Sequence, residues 1–314
     1  MYLNTFAAGS APLDMTQTDE FRSLLTSAQD LGIPHRPDIP YTSANVVLRH
    51  LRFHYLEWGQ PDAPPVVLLH GGHQSAHSWD LVSLWLASRG FRVLALDQRG
   101  HGDSEWPRDV VYSNHEMSLD AEAFIAAMGL QQPLLIGHSM GGRNAMLLTR
   151  RNAGLLRALV IVDVGPEVSE RGRAAIAGFV QAAQEFDDLE HFVRKVREYD
   201  PYRPREHIER TVKYNMLERA DGKYISKCDS APRRLGIVRP TGPLENITLT
   251  EAGGFDLPVL LVRGADSNIL DADAAERFVA ALPHGQLVTV PNCGHNVHGQ
   301  NTLGFIAALE DFLH

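Results

Sequence analysis

The sequence predicts an α/β fold in which helices cover both faces of a mostly parallel central sheet. Short, wholly apolar segments such as Val66–Leu69 are typical of parallel strands that are buried on both faces. These segments alternate with helical stretches along most of the chain, as in folds built from strand–helix–strand units. One long block, residues 167–246, lacks such strands, and we interpret it as a helical cap inserted into the core.

The composition indicates a globular protein with a sizeable core. Of the 314 residues, 44% are hydrophobic and 21% are charged. The formal net charge of −9 argues against nucleic acid or an anionic membrane as a partner. No segment has the roughly twenty apolar residues of a membrane helix, and the first residues lack a secretory signal pattern. We therefore expect a cytoplasmic protein in which Cys228 and Cys293 are free thiols.

Residues 1–43 are predicted to form an N-terminal leader, with a short helix over Asp19–Leu31 and then an extended linker that contains several prolines. Next, Asn45–Leu51 and Arg52–Trp58 alternate apolar and polar residues, which predicts an antiparallel strand pair at a sheet edge. The other elements predicted up to residue 166 are the strands Val66–Leu69, Phe91–Leu96, Pro133–Ile136 and Leu156–Asp163 and the helices Ala76–Ser88, Met117–Met128 and Arg143–Leu148.

The cap, residues 167–246, is predicted to be helical and to contain no buried strand. Its candidate helices are Arg171–Glu185, Leu189–Tyr199 and Arg205–Glu218. The core resumes after the cap, so we expect the core domain to consist of residues 44–166 and 247–314. Its second part is predicted to contain the strands Pro258–Val262 and Gln286–Val290 and the helices Asp273–Ala281 and Thr302–Leu313.

The segment Gly137–Gly142 carries the pattern G-x-S-x-G between a predicted strand and a predicted helix. In that context the pattern indicates a nucleophile elbow, whereas the five letters alone would fit any glycine-rich turn. We expect Ser139 to have a positive φ at the tip of a tight turn. Gly137 and Gly141 flank it because a Cβ at either position would collide with the neighbouring chain, and Gly142 lets the helix approach the strand. Ser139 is therefore the predicted nucleophile.

A serine nucleophile needs a base and an acid that orients the base, and both are expected where parallel strands end. His295 follows the last predicted strand and is the predicted base. His298 is the alternative, but it opens the final helical region and is expected to cap or pack. Asp266 follows the strand Pro258–Val262 and is the predicted acid. Asp163 is the rival, although its position suits the turn that leads into the cap.

An oxyanion hole is predicted from the backbone N–H groups of Met140 and Gly72, with His73 as the alternative to Gly72. His70 is expected to hold the loop after its strand. The predicted substrate contacts are His73, Trp106, Tyr199 and Tyr214. No acidic residue stands beside His70, His73 and His77 in a ligand-like pattern, so we predict no metal site. The predicted chemistry implies no cofactor.

These motifs together resemble the serine-nucleophile branch of the α/β-hydrolase fold superfamily that carries a helical cap. The matching segments, in the family's order, are Leu69–Gly72, Asp97–Ser104, Gly137–Gly142, Asp266 and Gly294–His295. The resemblance covers about Asn45 to His314 and implies an α/β-hydrolase fold with a Ser139–His295–Asp266 triad. Haloalkane dehalogenases and epoxide hydrolases of this superfamily have aspartate at the elbow, so Ser139 argues against both.

We therefore predict a carboxylesterase- or lactonase-like serine hydrolase that cleaves a small ester or lactone through an acyl-enzyme intermediate. Three alternatives stay open: a carbon–carbon bond hydrolase of ring-cleavage products, an acyltransferase, and a ligand receptor that has kept a hydrolase scaffold. The expected partner is a small molecule, with neither nucleic acid nor membrane. The sequence leaves the oligomeric state open, a homodimer included.

Overall fold

A computed structural model describes residues 16, 18–167, 172, 185–237 and 242–314, apart from the side chains of Tyr199 and Arg233. In chain order, the strands of this part are β1 (Tyr41–Leu48), β2 (Leu51–Trp58), β3 (Pro65–Leu69), β4 (Arg92–Leu96), β5 (Leu134–His138), β6 (Ala158–Val162), β7 (Glu185–Phe186), β8 (Met216–Glu218), β9 (Tyr224–Ser226), β10 (Val259–Gly264) and β11 (Gly285–Val290).

Helices of the same part connect these strands. They are α1 (Asp19–Asp30), α2 (Asp80–Ser88), α3 (Asn114–Ala127), α4 (Met140–Asn152), α5 (Leu189–Tyr199), α6 (Arg205–Val212), α7 (Ala231–Arg234), α8 (Leu249–Ala252), α9 (Ala272–Ala281), α10 (Val297–Gln300) and α11 (Thr302–Leu313), with 3-10 turns at Ala76–Trp79 and Ala153–Leu155. Within the described ranges, no helix is long and apolar enough to cross a membrane.

The centre of the molecule is an eight-stranded sheet with the order β1-β2-β4-β3-β5-β6-β10-β11. Strand β2 is antiparallel to β1 and to β4, and the other neighbouring strands are parallel. This arrangement confirms the predicted fold class and the antiparallel pair at the sheet edge. Because the carboxyl ends of the parallel strands meet at one edge, the loops after β3, β5, β6, β10 and β11 are brought together there.

The sheet is covered on both faces because its apolar strands expose alternate side chains to each face. In β3, Val66 and Leu68 belong to one apolar cluster, while Val67 and Leu69 belong to the other. The first cluster includes Phe21 of α1. The side chain of Thr18 caps the N-terminus of this helix. The helix predicted in the leader is thus present, and it packs against the core.

The inserted segment differs from its prediction, because it contains a small antiparallel sheet with the order β7-β9-β8. Helix α5 is present as expected, but the helix expected over Arg205–Glu218 ends at Val212. The chain then forms a hairpin whose turn contains Gly222 with a φ of +79°. Asp-Gly in that turn favours a hairpin over a continued helix. The helix predicted over Arg171–Glu185 lies almost entirely outside the described residues.

A buried ion pair attaches the inserted segment to the core. Arg210 of α6 donates to the carboxylate of Asp80 at 2.7 Å, and His77 Nδ1 lies 3.1 Å from the same carboxylate. Burial favours a raised pKa for Asp80, but His77 and Arg210 together hold it below its usual value. The ring of Tyr214 also stacks on His77, with 3.5 Å between the ring centroids. Charge and aromatic contacts thus hold the two parts together.

We expect Arg210→Met to lower the free energy of unfolding by roughly 3 kcal/mol. This loss is at the low end of the destabilisation expected when one partner of a buried ion pair is removed, because His77 still contacts Asp80. Urea denaturation followed by circular dichroism measures the loss. The matched control is Arg205→Met, which removes an exposed arginine paired with Glu190 and Glu209, and it should cost less than about 1 kcal/mol. Equal losses in the two variants would contradict the role assigned to Arg210.

Candidate active site

Ser139 lies between β5 and α4 with φ +51° and ψ −111°, the positive φ that the elbow pattern predicts. Its N–H donates to the carbonyl of Val162 at 3.0 Å, which holds the turn against β6. A Cβ added at Gly137 would lie 2.5 Å from the carbonyl oxygen of Gly141, and one at Gly141 would lie 2.3 Å from that of Leu69. Only glycine therefore fits at both positions, as the sequence predicts.

His295 follows β11 and reaches back to the elbow. Its Nε2 lies 2.9 Å from Oγ of Ser139, and its Nδ1 lies 2.7 Å from Oδ2 of Asp163. With the proton on Nδ1, the ring donates to the carboxylate and accepts from the serine hydroxyl. The structure therefore joins a hydroxyl, an imidazole and a carboxylate in the order that nucleophilic catalysis requires.

The acid in this chain of hydrogen bonds is Asp163, and the prediction of Asp266 is wrong. Asp266 is exposed and accepts a hydrogen bond from the hydroxyl of Tyr202 at 3.2 Å. Asp163 directly follows β6, the strand beside the elbow strand, whereas Asp266 lies beyond the end of β10, one strand further away. A φ of +51° at Asp163 turns the chain at the strand end.

The carboxylate of Asp163 is buried, and the hydrogen bonds that it accepts stabilise its negative charge. Besides His295, it accepts from the N–H of Gly264 at 3.0 Å and from the hydroxyl of Ser267. Its own N–H donates to Val262 at 2.8 Å. Because β10 and the loop after it supply these partners, Asp163 presents one oxygen to the imidazole in a defined direction.

His138, for which the sequence analysis gave no role, connects the two loops that flank the elbow. Its Nε2 lies 2.9 Å from the carbonyl oxygen of His295, and its Nδ1 lies 3.1 Å from Oε1 of Gln74. Burial holds the pKa of His138 well below its usual value, so the ring is neutral. A Cβ at Gly71 would lie 2.6 Å from its Nδ1, so Gly71 is needed for this contact. In the sequence, the position of His138 directly before Ser139 was the available indication of this role.

Two further histidines, His70 and His298, have structural roles. His70 accepts from the N–H of Gln98 at 3.0 Å, and its Nδ1 lies 2.7 Å from the carbonyl oxygen of Gly71, so it holds the loop as expected. Burial lowers the pKa of His70 to about 4. His298 is buried and stacks on Trp79, with 3.8 Å between the ring centroids. It packs, as the sequence analysis expects of it, and does not contact Ser139 in the described part of the chain.

Ser139 and His295 open into a cavity of about 190 Å³ between the sheet edge and the inserted segment. Gly72, His73 and Met140, the residues predicted for the oxyanion hole, also line it. A Cβ built at Gly72 meets no described atom within 4 Å. The apolar part of the lining consists of Val164, Phe192, Val196, Val212 and Ile269.

The aromatic residues predicted as substrate contacts are placed differently. The indole N–H of Trp106 donates to the carbonyl of Lys227 at 2.9 Å, and the ring does not line the cavity. Tyr214 stacks on His77 and is also absent from the described lining. The structure therefore does not place either ring against the cavity, and both attach the inserted segment to the core. The side chain of Tyr199 lies outside the described part of the chain, and His73 lines the cavity.

His54, Asp97 and Asp103 bring potential metal ligands together, but other contacts use their ligand atoms. His54 Nδ1 lies 2.7 Å from Oδ2 of Asp97. Asp97 also accepts from the N–H groups of Ala76 and Asp103, and the carboxylate of Asp103 pairs with Lys227. We interpret this group as a structural support for the loop after β4.

Comparisons with known proteins agree with this fold. Residues 64–302 match the family model described as alpha/beta hydrolase fold. An esterase of Mycobacterium tuberculosis, Rv0045c, is 27% identical over 96% of this chain and 97% of its own length. The mouse sn-1-specific diacylglycerol lipase ABHD11 is 28% identical over 89% of this chain and 94% of its own.

Solved structures show the same fold. A crystal structure of the Rv0045c esterase covers 95% of this chain and 99% of its own, with 25% identity and a TM-score of 0.76. An α/β hydrolase from Novosphingobium aromaticivorans covers 87% of this chain and 98% of its own, with 29% identity and a TM-score of 0.73. The relatives thus include an esterase and a lipase.

Proposed function

Because this chain belongs to the α/β-hydrolase fold family, we propose that it is a serine hydrolase that cleaves a small carboxylic ester through an acyl-enzyme intermediate. One observation carries the proposal. The hydroxyl of Ser139, the ring of His295 and the carboxylate of Asp163 form a continuous hydrogen-bonded chain at the floor of a cavity. The esterase and lipase relatives support the same class of reaction.

In the proposed reaction, Oγ of Ser139 attacks the ester carbonyl while Nε2 of His295 takes the serine proton. Asp163 holds the ring in the correct tautomer and stabilises its cationic form. The N–H groups of Met140 and Gly72 are proposed to stabilise the oxyanion, Met140 being the first residue of α4. His295 then gives its proton to the leaving alcohol. Water, deprotonated by His295, releases the acid from the acyl-enzyme.

The cavity size favours a small substrate. At about 190 Å³ it is smaller than the roughly 300–1,000 Å³ of sites that enclose drug-sized ligands. A short-chain ester or a lactone of similar size fits this volume, while a long acyl chain would have to leave it. The apolar wall formed by Phe192, Val196 and Val212 suits the hydrocarbon part of such a substrate.

A panel of chromogenic esters and lactones, together with a fluorophosphonate probe, tests the proposal. We expect short-chain esters to be hydrolysed faster than long-chain ones and the probe to label Ser139 alone, as read by peptide mass spectrometry. A vinylogous diketone belongs in the panel, because its preferred cleavage would assign the protein to the carbon–carbon bond hydrolases instead. Labelling at another residue would contradict the proposed nucleophile.

A further inference from the structure

A second cavity of about 110 Å³ lies beside the catalytic cavity. We call it the polar chamber and define it by Ser78, Arg203, His207, Arg210 and His298, which provide most of its polar lining. Ser78, Arg203 and Thr211 line both cavities, so the two share a wall. A ligand attached at Ser139 can therefore extend towards the polar chamber.

Arg203 lines both cavities, and its guanidinium has N–H groups that donate to no described residue. Its Nε donates to Oδ2 of Asp200 at 2.7 Å, and its side chain is 16% exposed. Among the described residues, no other hydrogen bond engages its guanidinium. Asp200 is buried and holds the arginine through Nε alone, which leaves the two terminal nitrogens for a ligand. A guanidinium used in this way matches the two oxygens of a carboxylate.

The neighbouring polar groups also lack partners. Both ring nitrogens of His298, Nδ1 of His207 and Oγ of Ser78 are buried without a hydrogen bond to the described residues. Buried polar groups are nearly always hydrogen-bonded, so these atoms indicate a ligand or ordered water in the chamber. Burial, and then the charge of Arg203, holds the pKa of His298 well below its usual value. Its ring is therefore neutral, with one N–H to donate.

The described lining of the polar chamber offers N–H donors and no carboxylate oxygen. No acidic side chain occurs among the described residues that line it. Carboxylates outside the chamber balance both of its arginines at 2.7 Å, Asp80 with Arg210 and Asp200 with Arg203. The preference for a carboxylate therefore comes from the terminal N–H groups of Arg203 that no described residue uses, and not from a net positive charge. A volume of about 110 Å³ has room for a carboxylate and ordered water, since a cavity needs only about 10–15 Å³ of such space to admit one water.

We propose that the polar chamber binds a carboxylate of the substrate through Arg203, with His298 and Ser78 as further donors. This inference rests on the proposed function and names its substrate class: small esters whose acyl part ends in a carboxylate, such as monoesters of dicarboxylic acids. The ester carbonyl lies at Ser139, the methylene chain lies along the apolar wall, and the distal carboxylate reaches the shared wall of the two cavities.

The first test compares monoethyl glutarate with ethyl pentanoate, which differ in the distal carboxylate, in a pH-stat assay. We expect wild type to prefer monoethyl glutarate. In Arg203→Met the ratio of the two kcat/KM values should fall roughly 10- to 100-fold, the loss expected for charge-assisted hydrogen bonds, mostly through the KM of the acid. Arg203→Lys should restore part of the ratio. The matched control Arg205→Met removes the same charge outside both cavities and should leave the ratio unchanged.

The second test measures binding without turnover. We expect glutarate, but not pentanamide, to bind to Ser139→Ala in isothermal titration calorimetry, and binding to be lost in Ser139→Ala/Arg203→Met. If wild type hydrolyses neither ester while glutarate still binds through Arg203, the proposed function fails and the carboxylate site stands. A ratio that is unchanged in folded Arg203→Met, or glutarate binding that is equal with and without Arg203, overturns the inference.

Discussion

Replacing Ser139 with alanine is expected to lower ester turnover by roughly 10⁴- to 10⁶-fold, because the attacking oxygen is removed. The remaining rate comes from binding and from the oxyanion donors, which the substitution leaves in place. The fold should be retained. Alanine keeps a Cβ, so the strain of the +51° φ stays the same as with serine.

Steady-state kinetics with the best short-chain ester, together with thermal unfolding, measures both expectations. Ser88→Ala is the matched control, because the hydroxyl of Ser88 bonds to the carbonyl of Leu84 on α2 and takes no part in the site. We expect this variant to keep nearly full activity. A Ser139→Ala protein that turns over ester at a rate near that of wild type would refute the mechanism.

Asp163→Asn is expected to lower kcat by up to about 10⁴-fold while His295 and Ser139 remain in place. An amide can donate to Nδ1 of His295, which favours the tautomer whose Nε2 carries the proton and cannot accept from Ser139. The new oxygen can still accept from the N–H of Gly264, so the side chain fits where the carboxylate was.

Asp266→Asn provides the comparison, since it makes the same chemical change one strand further along the sheet. Its carboxylate is exposed and contacts the hydroxyl of Tyr202, so we expect kcat to change less than about threefold, because surface substitutions have small effects. The two variants are compared at equal fractions folded, as judged by circular dichroism. If Asp266→Asn proved the more damaging change, the acid assigned by geometry would be wrong.

The inserted segment shows why patterns within a short window misassign structure. Arg205–Val212 is helical as predicted, but Met216–Glu218 and Tyr224–Ser226 pair with each other across a turn. Strands of three residues carry no periodicity that distinguishes them from the end of a helix. The Asp221–Gly222 dipeptide was the available signal, and it outweighs the helical pattern that precedes it.

The sequence by itself determined the parallel sheet, the elbow and the partnership of Ser139 with a histidine after the last strand. These features depend on local causes: apolar strands must be buried on both faces, and a tight turn admits only glycine at Gly137 and Gly141. Local sterics and burial act within a few residues, so the linear sequence contains the information that they need.

Tertiary structure alone decided between Asp163 and Asp266, because both follow a buried strand and look alike in the sequence. The sheet order places β6 beside the elbow strand, and this order comes from long-range pairing that a single sequence does not display. The polar chamber has the same origin, since Ser78, Arg203 and His298 meet only when the inserted segment lies over the core. Their contacts join distant parts of the chain, and packing of the whole molecule selects them.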